Sequence, residues 1–130
     1  MYIMSDNKLL IQNICNDMAS GNWDKHWAED AYMIRPSGNP LTLEQNNLMR
    51  ASNDIVITKE EMVKINSVEI MGDVATACFT VHQMFNYKGT ENNDISVVLA
   101  IFKKIDNVWK MITGSRSQGR SPDVEMPSFP

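Results

Sequence analysis

The side chains able to do chemistry in this sequence are few: two histidines, two cysteines and a scatter of arginines and acids. His82 stands in the middle of an apolar, β-type run, in the even-numbered register with Thr80 and Met84. An imidazole titrates close enough to neutrality to move protons if that face lines a cavity. The same placement suits a hydrogen-bonded core histidine, and both readings stay open. His26, next to Trp27 on a short segment expected to be exposed, is given no role. Cys15 and Cys78 fall in a predicted helix and a predicted strand without metal-ligand spacing, and read as buried free thiols. Two histidines with no matching acid or cysteine spacing argue against a structural metal site. The glycines are scattered singly, with no nucleophile elbow, phosphate loop or dinucleotide fingerprint, so no cofactor is implied.

Two further groups of residues suit binding. Ser115-Arg116-Ser117-Gln118-Gly119-Arg120 ends the last predicted strand in a polar, doubly basic run, fit either to hold an anion at a cavity mouth or to be a solvated strand end. Strict alternation puts Arg116 and Lys110 on one face and Trp109, Met111 and Thr113 on the other, so the apolar set is expected to point inward. Trp27, Met33, Phe79 and Trp109 are the apolar candidates for a cavity wall, with Trp23, Phe85 and Tyr87 beside them and core packing as the alternative reading.

These residues need elements to position them. Ser5 suits the cap of a helix whose apolar residues Leu10, Ile11, Ile14, Cys15 and Met18 recur at three- and four-residue spacing before Gly21. Asn22 predicts a second short helix to about Asp30, with Trp23 and Trp27 on one side. Tyr32 to Arg35 reads as a brief strand closed by Pro36-Ser37-Gly38-Asn39-Pro40. Thr42-Leu43-Glu44-Gln45 matches a capping box and opens a third helix ending near Ser52. Thr58-Lys59-Glu60-Glu61 matches the same box, but Val63, Ile65, Val68 and Ile70 favour a strand there. Strands over about 62–71, 74–87, 95–105 and 108–117 are separated by turn chemistry and are expected to pair as an antiparallel meander. The last stretch, 121–130, carries three prolines and is expected to be a tail after a domain covering 1–120.

With 130 residues, 43% of them hydrophobic and 22% charged, the chain has the size and composition of one globular domain. A net charge of −4 without a basic cluster argues against nucleic acid. The start lacks an apolar leader and the longest apolar run, 97–102, is too short to span a bilayer, so no membrane partner and a cytoplasmic location are expected. Helices followed by long strands give an α+β domain: a cone-shaped, curved antiparallel sheet with three N-terminal helices packed on its concave face.

At Asp30-Ala31-Tyr32-Met33-Ile34-Arg35-Pro36-Ser37-Gly38 the chain resembles the ketosteroid isomerase branch of the nuclear transport factor 2-like superfamily, and Gly72-Asp73-Val74-Ala75 followed by Trp109 is similar to its SnoaL-like relatives. The resemblance implies the cone fold and a homodimer. It also implies that the residue before the proline faces the pocket, where the isomerases hold their proton-transferring aspartate. Here that residue is Arg35, a permanent cation unable to serve as such a base. Ile14 stands at the position of the oxyanion-binding tyrosine, and 95–104 contains no acid, so steroid-type isomerisation is not expected. A pocket-facing Arg35 would seek either a ligand carboxylate or a salt bridge to Asp30, Glu29 or Glu44.

Three functions are therefore expected as alternatives. The first is a domain binding a small apolar or anionic organic molecule, with Arg35 as its anchor and Arg116 beside it. The second is a cofactor-independent lyase, dehydratase, isomerase or hydrolase using His82 and Asp30 as an acid–base pair. The third is a structural homodimeric interaction module.

Overall fold

A computed structural model of the chain describes residues 6–123. Helix α1, Asp6–Ala19, buries Ile11, Cys15, Met18 and Ala19 on one stripe. It stops at Gly21, whose φ of 113° only glycine adopts without strain. The expected cap at Ser5 lies outside the described residues, as does most of the predicted tail.

The second helix expected over 22–30 does not form. One 3₁₀ turn spans Asp24–His26, and Trp27 is already extended, opening strand β1, Trp27–Ile34. The apolar residues Ala31 and Met33 are buried in this strand between two neighbours, so sheet pairing overrides the local helical spacing of the two tryptophans. Among the described residues two α-helices and one 3₁₀ turn thus replace three helices. Strand β2, Pro40–Thr42, leads directly into α2, Leu43–Ala51. The Thr42–Gln45 capping box is present, with Gln45 N–H donating to Thr42 Oγ1 at 3.2 Å and Thr42 N–H to Gln45 Oε1 at 2.9 Å.

Strands β3 (Ile55–Met71), β4 (Val74–Tyr87), β5 (Thr90–Ile105) and β6 (Val108–Arg116) complete a six-stranded sheet of order β2-β1-β6-β5-β4-β3. The meander is antiparallel as expected, but β1 enters beside β6 in parallel. Strand β5 starts earlier than its hydrophobicity suggests, because Lys88 and Gly89, both at positive φ, make a two-residue hairpin turn that brings the polar 90–94 onto β4.

Strand β3 carries the curvature. Its register with β4 shifts between Ile57 and Lys59, between Met62 and Lys64, and between Ile65 and Ser67. Each extra residue returns the chain to the same face after three positions instead of two, so Ile57, Glu60, Met62, Ile65, Val68 and Ile70 all point the same way. Repeated bulges bend and twist a long strand, and here they curl the sheet around α1. Ile11, Met18, Phe79, Phe102 and Met111 are fully buried between the two. Among the described residues no helix is long and apolar enough to cross a membrane.

Candidate functional site

The packed core fills one half of the concave face. In the other half, where β1 and β6 end and β3 and β5 begin, a cavity of about 200 Å³ remains. Its walls are Trp23, Trp27, Met33, Leu41, Met49, Ile55, Ile57 and Phe85. Into this apolar setting project Arg35, Arg50, Gln83, Asp94, Ser96 and Arg116.

Arg116 reaches the cavity through a bulge. Ile101 pairs with Thr113 and Phe102 with Met111, which leaves Ile112 as an extra residue in β6. Strict alternation would have put Arg116 opposite Trp109 and Met111; the bulge puts all three on the inner face. Gly114, between them, must lack a side chain, since a Cβ there would lie 2.7 Å from the Leu99 carbonyl oxygen. The Arg116 guanidinium stacks 5.0 Å above the Trp23 ring and donates to Gln83 Oε1 at 2.9 Å. Burial draws its pKa down to about 10, with Glu60 opposing and Arg50 adding to the fall.

Glu60 braces this end. Its side chain is only 7% exposed and accepts from Arg50 at 3.2 Å and from Gln83 Nε2 at 2.9 Å, both through Oε1. Arg50, Glu60, Gln83 and Arg116 thereby form a polar chain from α2 across β3 and β4 to β6. Arg50 Nε, Glu60 Oε2 and the indole nitrogens of Trp23 and Trp27 are buried without a partner among the described residues. Asn46, on the face of α2 shared with Met49 and Arg50, donates to Asp24 and ties the helix to the 3₁₀ turn that carries the tryptophans.

Of the residues singled out from the sequence, Trp23, Trp27, Met33, Arg35, Phe85 and Arg116 line this cavity, and Tyr87 does not. Arg35 follows Ala31 and Met33 on the inner register of β1, and its Nε donates to the Asn39 carbonyl at 3.3 Å. Among the described residues it makes no ion pair with Asp30, Glu29 or Glu44. Phe79 and Trp109 do not line the cavity. Phe79 is buried in the core with its ring 6.2 Å from Trp23, and Trp109 lies at the far end of the sheet, where its indole donates to Asn7 Oδ1 at 3.2 Å.

His82 and Asp30 are not brought together. The inner residues of β4 are the odd ones, Phe79, Val81, Gln83 and Phe85, so His82 is on the outer face. There it contacts Asn93 Oδ1 at 2.6 Å and Glu61 Oε1 at 3.4 Å. Asp30 is exposed on β1, and two strands separate β1 from β4, a gap of about 14 Å. Cys15, beneath the sheet, has its thiol pushed up to about 12 by burial. Among the described residues no cluster of three or more metal-ligating groups occurs.

The residues that sequence reasoning missed are Arg50, Glu60, Gln83, Asp94 and Ser96. Gln83 left a signal, a polar side chain in register with Phe79, Val81 and Phe85. Glu60 left only the irregular two- and three-residue apolar spacing of β3.

A strongly bent sheet around one long helix, with a cavity at its open end, defines a nuclear transport factor 2-like protein. The chain belongs to the family described as a protein of unknown function (DUF3804), whose sequence pattern matches residues 6–126. It is similar, at 36% identity and a TM-score of 0.80, to the crystal structure of a nuclear transport factor 2-like protein of unknown function from Prochlorococcus marinus, over 91% of this chain and 96% of that one. A putative calcium/calmodulin-dependent kinase II association domain from Exiguobacterium sibiricum shares the fold at 13% identity and a TM-score of 0.75, covering 95% and 100% of the two chains. A ketosteroid isomerase-like protein from Erwinia carotovora atroseptica does so at 13% and 0.67, covering 92% and 100%. No curated protein sequence matches this chain.

Proposed function

We propose that this chain binds a small organic molecule with an apolar body and a carboxylate, held in the cavity by Arg116 and Arg50 with Arg35 at the rim. The observation that carries the reading is the convergence of three guanidinium groups on one apolar-walled space. Arg116 there is partly withdrawn from water and has only the neutral Gln83 as a side-chain hydrogen-bond partner among the described residues. A desolvated guanidinium gains most from a planar anion that takes two of its donors at once. The stacking on Trp23 and the Gln83 bond hold the group in place before any ligand arrives, which lowers the ordering cost of binding. The cavity suits a molecule well below drug size.

Thermal unfolding with small apolar carboxylic acids and their uncharged amides tests this. At one hundred times its dissociation constant an acid adds about 2.7 kcal/mol, a midpoint rise of several degrees in a domain of this size. The rise should vanish in Arg116→Met and shrink in Arg35→Ala. Amides that stabilise as well as the acids would sink the reading.

A second reading, self-association, rests on the outer face of the sheet. Leu99 is 46% exposed there, flanked by partly buried Cys78, Val97 and Ile101, and among proteins of the same fold two are described as association domains and one as a hub homology domain. A second copy of this chain would cover that face as a homodimer. Sedimentation velocity should show a dimer that Leu99→Asp converts to monomer; a native monomer at about 100 μM would dismiss it, since that is already a weak affinity.

A further inference from the structure

The cavity also holds a carboxylate that a simple acid ligand leaves unused. Asp94 belongs to the inner register of β5 with Ser96 and Val98, lines the cavity, and pairs directly across the strands with Gln83. It is half-buried, and among the described residues its carboxylate makes no ion pair or hydrogen bond. Its seat is shaped by Gly119: a Cβ there would lie 2.6 Å from the Asp94 Cβ and Cγ and 2.9 Å from Oδ2. The chain after β6 is pinned at this point, since Arg120 exchanges two backbone hydrogen bonds with Ile95, of 2.7 and 2.8 Å. Asp94 is therefore held against the cavity, on a backbone that cannot easily retreat.

Opposite charges face the same small space without neutralising each other. Arg116 bonds to Gln83, the cross-strand neighbour of Asp94, where directly paired side chains have Cβ atoms about 5 Å apart. No salt bridge of 4.0 Å or less joins Asp94 to Arg116, Arg50 or Arg35. A plain carboxylate bound on the arginines would bring a like charge close to Asp94, which disfavours it. A ligand carrying an ammonium group as well would satisfy both poles. About 200 Å³ is the space of six or seven water molecules at ~30 Å³ each, enough for a compact zwitterion with a branched or aromatic side chain.

We infer that the ligand is an apolar α-amino acid. Its carboxylate lies on Arg116 and Arg50, its ammonium donates to Asp94 and the Ser96 hydroxyl, and its side chain packs among Met33, Leu41, Met49 and Phe85. This rests on the carboxylate-binding reading above and adds the class of molecule.

Calorimetric titration of the full chain with leucine, phenylalanine, their deaminated acids and their amides separates the two ideas. Each amino acid should bind about tenfold or more tightly than its deaminated acid, the worth of one charged hydrogen bond. Asp94→Asn should remove that preference while the deaminated acid still binds. Gly119→Ala, which pushes Asp94 out of its seat, should do the same, so the test survives if either variant fails to fold. Deaminated acids that bind native protein as well as the amino acids overturn the zwitterion inference and leave the carboxylate reading standing. Amides that match the amino acids overturn the carboxylate reading instead, and no binding by any of the six overturns both.

Discussion

Trp109 and Trp23 sit at opposite ends of the same concave face, each with a cation over its ring: Lys104 at 5.5 Å from Trp109, Arg116 at 5.0 Å from Trp23. Around Trp109 the polar groups close on themselves. Asn7 Oδ1 accepts from the indole at 3.2 Å and from Lys104 Nζ at 3.3 Å, so α1 is fastened to β5 and β6. Around Trp23 the indole nitrogen has no partner among the described residues, the cation is partly buried beside a neutral amide, and an apolar cavity adjoins. A tryptophan under a basic side chain serves stability at one end and leaves binding capacity at the other. What separates them is completeness: buried polar groups are normally satisfied, and a group of unsatisfied ones beside a cavity points to a ligand.

The largest effect should come from the brace of the open end. Glu60→Ala removes the carboxylate that, among the described residues, pairs with Arg50 and holds Gln83 toward Arg116, leaving partly buried positive charge uncompensated. Breaking a buried pair from one side costs about 3 kcal/mol. The thermal midpoint should fall by about 10 °C, with Glu60→Gln losing clearly less. A native-like midpoint for Glu60→Ala would show that the arginines hold themselves apart without it, and the contrast between the two ends would lose its physical basis.

Next comes a direct comparison of the two indoles. Trp109→Phe and Trp23→Phe remove similar volume, but only the first also removes a hydrogen bond, worth about 1 kcal/mol. Denaturant unfolding should therefore place Trp109→Phe about 1 kcal/mol below Trp23→Phe. Equal losses would mean that the Trp109 end is no more complete than the other.

Much of this contrast was legible in the sequence, and what was not shares one cause. The α1 stripe, the Thr42 capping box and the limits of β4 follow from local patterns that tertiary contacts reinforce. Met33 and Arg35 fell on the cavity because β1 keeps strict alternation from Ala31 onward, as the family resemblance implied for Arg35, whereas Trp27 reaches it from a strand in place of the expected helix, across the irregularity between Trp27 and Tyr32. Arg116 was a candidate, yet alternation placed it opposite Trp109, and only the bulge at Ile112 reconciles the two. Glu60 escaped notice because each bulge in β3 resets the period, so the inner residues mix spacings of two and three. A bulge is chosen by strand pairing and sheet curvature, which no local pattern encodes. His82 shows the converse: with alternation intact in β4, its even register with Thr80 was right, but which register faced inward was settled by Gln83 and Phe85.

The smallest effect is at the joint that delivers Trp23 and Trp27. Asp17, near the end of α1, accepts from His26 Nε2 at 2.6 Å and from Asn22 at 2.8 Å, and pairs with Lys25 at 3.2 Å. The bonds from His26 and then Asn22, with Lys25 adding less, hold its carboxyl well below its ordinary value of 3.8. A carboxyl depressed by folding stabilises the fold above its unfolded pKa, and that contribution is lost as the pH falls through the lower, folded value. The thermal midpoint gap between native protein and Asp17→Asn should therefore be constant above about pH 5 and narrow steadily on acidification below about pH 4. Because this joint carries both tryptophans of the open end and neither residue at the Trp109 end, the same acidification should change near-ultraviolet circular dichroism through Trp23 and Trp27. A pH-independent gap would mean that Asp17 does not hold the turn, and that the open end is kept in place by the Asn46–Asp24 contact and the sheet alone.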